Sequence, residues 1–167
     1  MSKKNRMLFV TVILLILVWT IAVAASDVQS ELAEVRAATA RFHRPEAAQA
    51  EGYTLGPDLA LCMEQPGVGG MGYHYINRAK VDTTVDMLEP EVMVYAPGPN
   101  GKLQLGAVEY LVPAEDWDAE GHTDLPAVMG QEFHFASLTG NYILHAWIWK
   151  HNPTGVFEDW NPNVSCP

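Results

Sequence analysis

The sequence predicts an α+β fold in which an N-terminal helix packs on a curved antiparallel sheet, and three observations carry that prediction. One stretch with apolar residues at helical spacing precedes every strand candidate. The strand-forming runs that follow are joined by turns or polar connections with no clear helical segment between them, which argues against parallel βαβ winding. Asn100-Gly101, between two of those runs, is a strong hairpin signal.

Taken in order, residues 1 to 25 read as an export signal. The basic Lys3-Lys4-Asn5-Arg6 is followed by the apolar run Met7 to Ala25, with small residues at Ala22, Ala24 and Ala25. Cleavage after Ala24 or Ala25 fits. An uncleaved membrane anchor fits as well, because the run approaches the ~20 residues that span a bilayer as a helix. Either reading places one globular domain, residues 26–167, outside the cytoplasm, whether periplasmic, secreted or anchored. Ser26-Asp-Val-Gln29 has the form of a capping box, and Leu32, Val35, Ala38 and Phe42 then give an amphipathic helix from about Asp27 to His43. Arg36 and Arg41 lie off that stripe and face solvent. Pro45 opens a second short helix that Gly52 ends.

From Gly52 to Gly72 the chain reads as a loop with at most one short strand at Ala60 to Met63. Gly67-Val-Gly69-Gly-Met-Gly72 satisfies G-x-G-x-x-G, but a dinucleotide site needs a helix next, and Tyr73-His-Tyr-Ile-Asn77 reads as a strand. The glycines instead allow positive φ or close backbone approach. The strand candidates are Gly72 to Arg78, Glu91 to Ala96, Lys102 to Val112, Gln131 to Ala136 and Tyr142 to Lys150, the last of them central. Ala79 to Pro90 and Pro113 to Gly130 are long polar connections. Asn152 to Pro167 is an irregular wrap. The expected arrangement is cystatin-like or nuclear-transport-factor-like, with a small β-barrel carrying an N-terminal helix as the alternative.

Composition narrows the function. The 167 residues carry a formal charge of −10, and Lys3, Lys4 and Arg6 are three of only ten basic residues, so the remainder is at −13. Such a surface repels phosphate backbones and anionic membranes and favours cationic partners or divalent ions. The expected partners are a metal ion or small molecule and no nucleic acid, with a membrane touched only through residues 1–25. Cys62 and Cys166 pair as a disulfide in an oxidising compartment. There is no G-x-S-x-G, no G-x-x-x-x-G-K and no C-x-x-C.

Val35-Arg-Ala-Ala-Thr-Ala-Arg-Phe42, Gly70-Met-Gly-Tyr-His-Tyr-Ile-Asn77, Val108-Glu-Tyr-Leu-Val-Pro113 and Leu144-His-Ala-Trp-Ile-Trp-Lys-His-Asn-Pro153 together resemble small exported bacterial proteins of unassigned function. The resemblance transfers no activity, ligand or site residue.

Candidate chemistry sits on the strands. His74, His134 and His145 each lie amid apolar or aromatic residues, and if the strands adjoin in register the three imidazoles converge as ligands for a divalent transition metal such as zinc or copper. The plain alternative is three packed histidines, each with one hydrogen-bond partner. Glu109 interrupts the apolar row Leu103, Leu105, Ala107, Leu111. It is a candidate catalytic acid or base, a further metal ligand, or one half of an ion pair with Arg36, Arg41 or Arg78. Strand alternation puts Ile143, His145, Trp147, Trp149 and His151 on one face, so Trp147 and Trp149, with Tyr73 and Tyr75, are the candidate ligand-binding wall. Glu132 and His134 share a face and are positioned to pair. Asp116-Trp-Asp118-Ala-Glu120-Gly121 matches half an EF-hand loop, but Ala127 stands where the bidentate Glu belongs, so it reads as a solvated acidic turn. The expected function is an extracytoplasmic binding domain for a metal ion or small ligand. The alternatives are a small enzyme using Glu109 with His74 or His145, and a structural envelope protein without a site.

Overall fold

The computed structural model describes residues 27–56 and 61–167. The expected export segment, the capping residue Ser26 and part of the expected strand at Ala60 to Met63 lie outside the described residues. The first helix, α1, spans residues 27–39 and tightens into a 3-10 turn at Ala40–Phe42. Leu32, Val35 and Phe42 are buried as the spacing demands, whereas Ala38 is only half-buried and Thr39 is buried in its place. The Thr39 hydroxyl donates to the carbonyl of Val35 at 2.8 Å, a back-bond that tolerates burial and competes with the helical ladder where α1 ends. Helix α2, Pro45–Ala50, starts on its proline, and Gly52 follows it at φ +92°.

The strands are β1 Thr54–Leu55, β2 Met63–Gln65, β3 Gly69–Ile76, β4 Val92–Pro97 and β5 Leu103–Pro113, then helix α3 Ala114–Ala119, then β6 Ala127–Val128, β7 Gln131–Glu132, β8 His134–Ala136 and β9 Asn141–Ala146. The main sheet runs β1-β3-β4-β5-β9-β8, with β2 also on β3, and the pairings are antiparallel. The sheet stays open, so the architecture is the α+β sheet with its helix and not the barrel. Among the described residues no helix is long and apolar enough to cross a membrane.

Three expected elements differ. Gln131 to Ala136 is two strands, because Phe133 turns its ring into the core beside Tyr110 while its N–H donates to Pro126 O at 2.8 Å. The connection Pro113 to Gly130 contains α3, so the acidic Asp116 and Asp118 stand on a helix and not in a turn. Tyr142 to Lys150 stops pairing at Ala146. Strand β5 has a bulge at Gly106, where the register with β4 slips between Val94 and Tyr95, and the Gly106 carbonyl accepts from the N–H groups of both Trp149 and Lys150 at 3.0 Å. That contact pulls the chain out of the sheet after Ala146.

Each sheet face has its own cover. Leu32, Val35 and Phe42 pack on Tyr75, Met93, Tyr95, Val108, Tyr110 and Leu144, and the buried Tyr95 hydroxyl donates to Phe42 O at 2.7 Å. On the other face Ile76, Val92, Val94, Ala107, Leu111, Ile143 and Trp147 are joined by Val164 from the irregular C-terminal segment. Gly70 and Asn161 exchange backbone hydrogen bonds, at 3.2 and 3.0 Å, to hold that segment down. Gly69, at φ +143°, admits it: a Cβ there would sit 2.4 Å from Asn161 O. Cys62 and Cys166 form the disulfide, closing a loop of sequence separation 104. In the chain-entropy model such a loop contributes about 4–5 kcal/mol. Urea unfolding of a Cys62→Ser/Cys166→Ser double variant is expected to show a loss of that order, with limited proteolysis cutting first after Asn152.

Glu91 immediately precedes β4, 3% exposed, and its Oε2 accepts the Leu111 N–H at 3.0 Å beyond the last β4–β5 rung. Burial pushes its carboxyl up to about 7, against the lowering pull of the Leu111 N–H. A carboxylate whose folded pKa exceeds its ordinary 4.5 weakens the fold progressively as pH rises from about 4.5 to 7. Glu91→Gln keeps the acceptor without the charge. Its stability relative to wild type should therefore rise by on the order of 3 kcal/mol between pH 4.5 and 8.5, read from urea unfolding at the two pH values.

Candidate metal centre

Strand pairing assembles the centre. Glu109 on β5 stands directly opposite His145 on β9, while His74 on β3 and Glu109 flank β4 through Val94 and Val92. Alternation turns all three toward the face that the C-terminal segment covers. His74 Nε2 lies 3.2 Å from Glu109 Oε2, His145 Nε2 lies 3.1 Å from the same oxygen, and the two nitrogens are 3.4 Å apart. The side chains of His74, Glu109 and His145 are 5%, 7% and 0% exposed. Burying one carboxylate among Val92, Val94 and Leu111 demands compensation, and two imidazoles supply it.

The hydrogen-bond bookkeeping of the three atoms is strained without a cation. His145 Nδ1 lies 3.1 Å from Asp159 Oδ1, and since the carboxylate has no proton the ring N–H donates. For Nε2 of His145 to donate to Glu109 as well, the ring must be imidazolium. If His74 Nε2 also donates to Glu109, two N–H groups face each other at 3.4 Å; His74 Nδ1, buried, has no partner whether or not an ion sits on Nε2. Three donors mutually 3.1–3.4 Å apart match the edges of a tetrahedron, about 3.3 Å, around an ion held at the ~2.0–2.1 Å typical of zinc with nitrogen and oxygen ligands. The Asp159 bond to the far nitrogen of His145 is the carboxylate–histidine pairing that fixes a metal-binding tautomer.

Electrostatics follow the same geometry. Burial alone would raise the Glu109 carboxyl, but the His145 charge and hydrogen bond, with His74 adding to them, hold it well below the carboxylate range. Burial alone would lower His145, but the Glu109 charge and the Asp159 hydrogen bond bring it up to about 9. Burial likewise opposes the ionisation of Asp159, and His145 overrides it and keeps the carboxyl low. In the metal-free protein the raised histidine contributes stability in full below about pH 6.5 and loses it as pH rises through about 9, while the depressed Glu109 contributes above about 4.5 and loses it on acidification.

His134 stands outside the triangle. It lies on edge strand β8, its side chain half exposed, with Nε2 at 3.0 Å from Asp159 Oδ2. It does not pair with Glu132, which belongs to β7. Trp147 is buried on the same face as His74, Glu109 and His145, its indole N–H donating to Glu158 O at 2.6 Å. Trp149 is on the opposite side, because the chain leaves the sheet after Ala146; its indole N–H donates to Thr39 Oγ1 at 3.1 Å under the Arg36 guanidinium. Tyr73 and Tyr75 flank His74 in sequence and therefore face the helix, Tyr75 edge-on to Tyr95. The four aromatic candidates form no common wall. Among the described residues Glu109 has no arginine partner: Arg36 donates to Ile148 O at 2.8 Å and Arg41 meets Glu51 at 3.8 Å. Asp159 is the residue that sequence reasoning missed. Its signal, an acidic residue in a segment fated to cover a histidine face, is readable only once the cover is placed.

Comparison with protein-family models, curated proteins and solved structures returns no match. The centre is read from its geometry alone. In chelator-treated protein near pH 6, Glu109→Gln leaves the buried His145 imidazolium with Asp159 as its one remaining carboxylate, and a stability loss of about 3 kcal/mol, the low end for a broken buried pair, is expected in urea unfolding.

Proposed function

We propose that this chain is an extracytoplasmic domain that binds one divalent transition-metal ion, zinc or copper, through His74, Glu109 and His145. The observation that carries the reading is the triangle of two imidazole nitrogens and one carboxylate oxygen with 3.1–3.4 Å edges, shut away from solvent. Two nitrogens and one oxygen form a donor set that suits zinc and copper better than magnesium or calcium, which favour all-oxygen shells. The disulfide fits an oxidising compartment, and the sequence of residues 1–25 fits delivery there, with the domain periplasmic, secreted or anchored.

Binding is favoured over catalysis by the burial of the ligand atoms. A hydrolytic metal needs a position open to water and substrate, whereas these side chains are at most 7% exposed. Glu109 is accordingly a ligand in this reading, not a general acid or base.

The test is metal content of protein made without a histidine tag, followed by titration of chelator-treated protein with zinc and with copper. One equivalent per chain is expected. Occupancy by one of the two ions at 100 times its Kd should raise stability by about 2.7 kcal/mol. His74→Ala and His145→Ala should both lose the equivalent while keeping the far-ultraviolet circular dichroism of the wild type. A stripped wild type that takes up neither ion, and gains no thermal stability from either, overturns the reading.

A further inference from the structure

A closed centre raises the question of how an ion reaches it. The surroundings on its sheet face are apolar: Val92, Val94, Leu111, Ile143 and Val164. A divalent ion crossing such packing without ligands faces a prohibitive loss of hydration. Resting on the metal reading above, we propose that His134 and Asp159 form an outer loading site, through which the ion passes from solvent to His74, Glu109 and His145.

Three observations carry this. The first is continuity of donors. His134 Nε2 and Asp159 Oδ2 are 3.0 Å apart, Asp159 Oδ1 and His145 Nδ1 are 3.1 Å apart, and His145 Nε2 and Glu109 Oε2 are 3.1 Å apart. The second is a gradient of exposure along that row. The His134 side chain is 50% exposed, Asp159 24%, His145 0% and Glu109 7%, so exposure falls from the sheet edge to His145 and stays low at the centre. The row thus begins at the sheet edge, on β8, and runs inward through β9 to β5.

The third is the backbone that carries Asp159. It belongs to the covering segment and lies outside every helix and strand, between two anchored neighbours: Glu158 O accepts from Trp147 at 2.6 Å and Trp160 O from Asn152 at 3.1 Å. The main chain is held while the carboxylate hangs between two imidazoles. Rotation of that short side chain breaks its bond to His145 Nδ1 and lets it share an ion with His134. On passage inward, the ion moves round the Cε1 edge of the His145 ring, which separates the nitrogen facing Asp159 from the one facing Glu109 and His74, exchanges its two outer ligands for His74, Glu109 and His145 Nε2, and the carboxylate returns to His145 Nδ1. Water fills the remaining positions at the outer site, as an exposed pair of ligands requires.

A site that lies only on the path changes rates and leaves the end states alone. Stripped wild type and His134→Ala are mixed with zinc in a stopped-flow instrument, and loaded protein is then mixed with excess chelator. For His134→Ala, uptake and release are both expected to slow at least tenfold, by the same factor, with one equivalent bound and Kd within about threefold of wild type. His134→Asp, which restores an exposed ligand, should recover most of the rate. Asp159→Asn should slow exchange and also weaken binding by about 10–100-fold, since it orients His145 as well. Wild-type rates in His134→Ala would overturn the loading site while leaving the metal centre intact. A weaker Kd carried by release alone would also overturn it, making His134 a stabilising neighbour. Failure of wild type to take up zinc in this assay, when the equilibrium titration shows copper bound, moves the same measurement to copper with the same criteria. Failure with both ions overturns the centre and the loading site together.

Discussion

The constraint on which the structure depends is a carboxylate buried in the middle of a sheet. Glu109 occupies a position that its row reserves for apolar side chains, and an isolated charge there would unfold the protein or stay protonated. The fold answers by bringing a histidine from either side, one from the neighbouring strand and one from the strand beyond β4. Those two choices in turn require β3, β4, β5 and β9 to lie in one fixed order and register. A shift of one residue in β9 would turn His145 to the helix and leave the charge facing Leu144. The polar cluster is therefore a statement about register as well as about ligands.

The same charge explains why the sheet has two covers. The helix seals one face with hydrocarbon, packed against a layer that includes Tyr53, Tyr95 and Tyr110, whose hydroxyls reach backbone carbonyls. The other face cannot be sealed by a helix with an apolar stripe, because its centre contains ionisable groups that need hydrogen-bond partners. An irregular segment can deliver both kinds of contact. Val164 fills the apolar part, and Asp159 meets His145.

Much of this was legible in the sequence, for identifiable reasons. The helix followed from the spacing of Leu32, Val35 and Phe42, the β4–β5 hairpin from Asn100-Gly101, and the disulfide from two cysteines in a chain with an export-like start. Glu109 and the strand histidines stood out because each broke an apolar pattern. What could not be read was tertiary. Alternation is a rule for residues still in the strand, so it misplaced Trp149, which follows the departure set by Gly106. Grouping Tyr73 and Tyr75 with Trp147 and Trp149 ignored that same rule, since period two sends the neighbours of His74 to the opposite face. His134 looked equal to His74 and His145 because nothing in a sequence says which of two histidine strands lies at an edge. Asp159 gave no signal because its role depends on a segment crossing β3 far away in the chain.

That crossing has a consequence for how the molecule matures. The pieces it joins are separated by 104 residues at the disulfide, so the cover cannot settle until the whole sheet has been threaded and paired. Contacts that distant form late. A sheet paired before that segment docks would hold His74, Glu109 and His145 aligned with their face open. On the metal reading proposed above, docking of that segment is the step that closes the three ligands off from solvent.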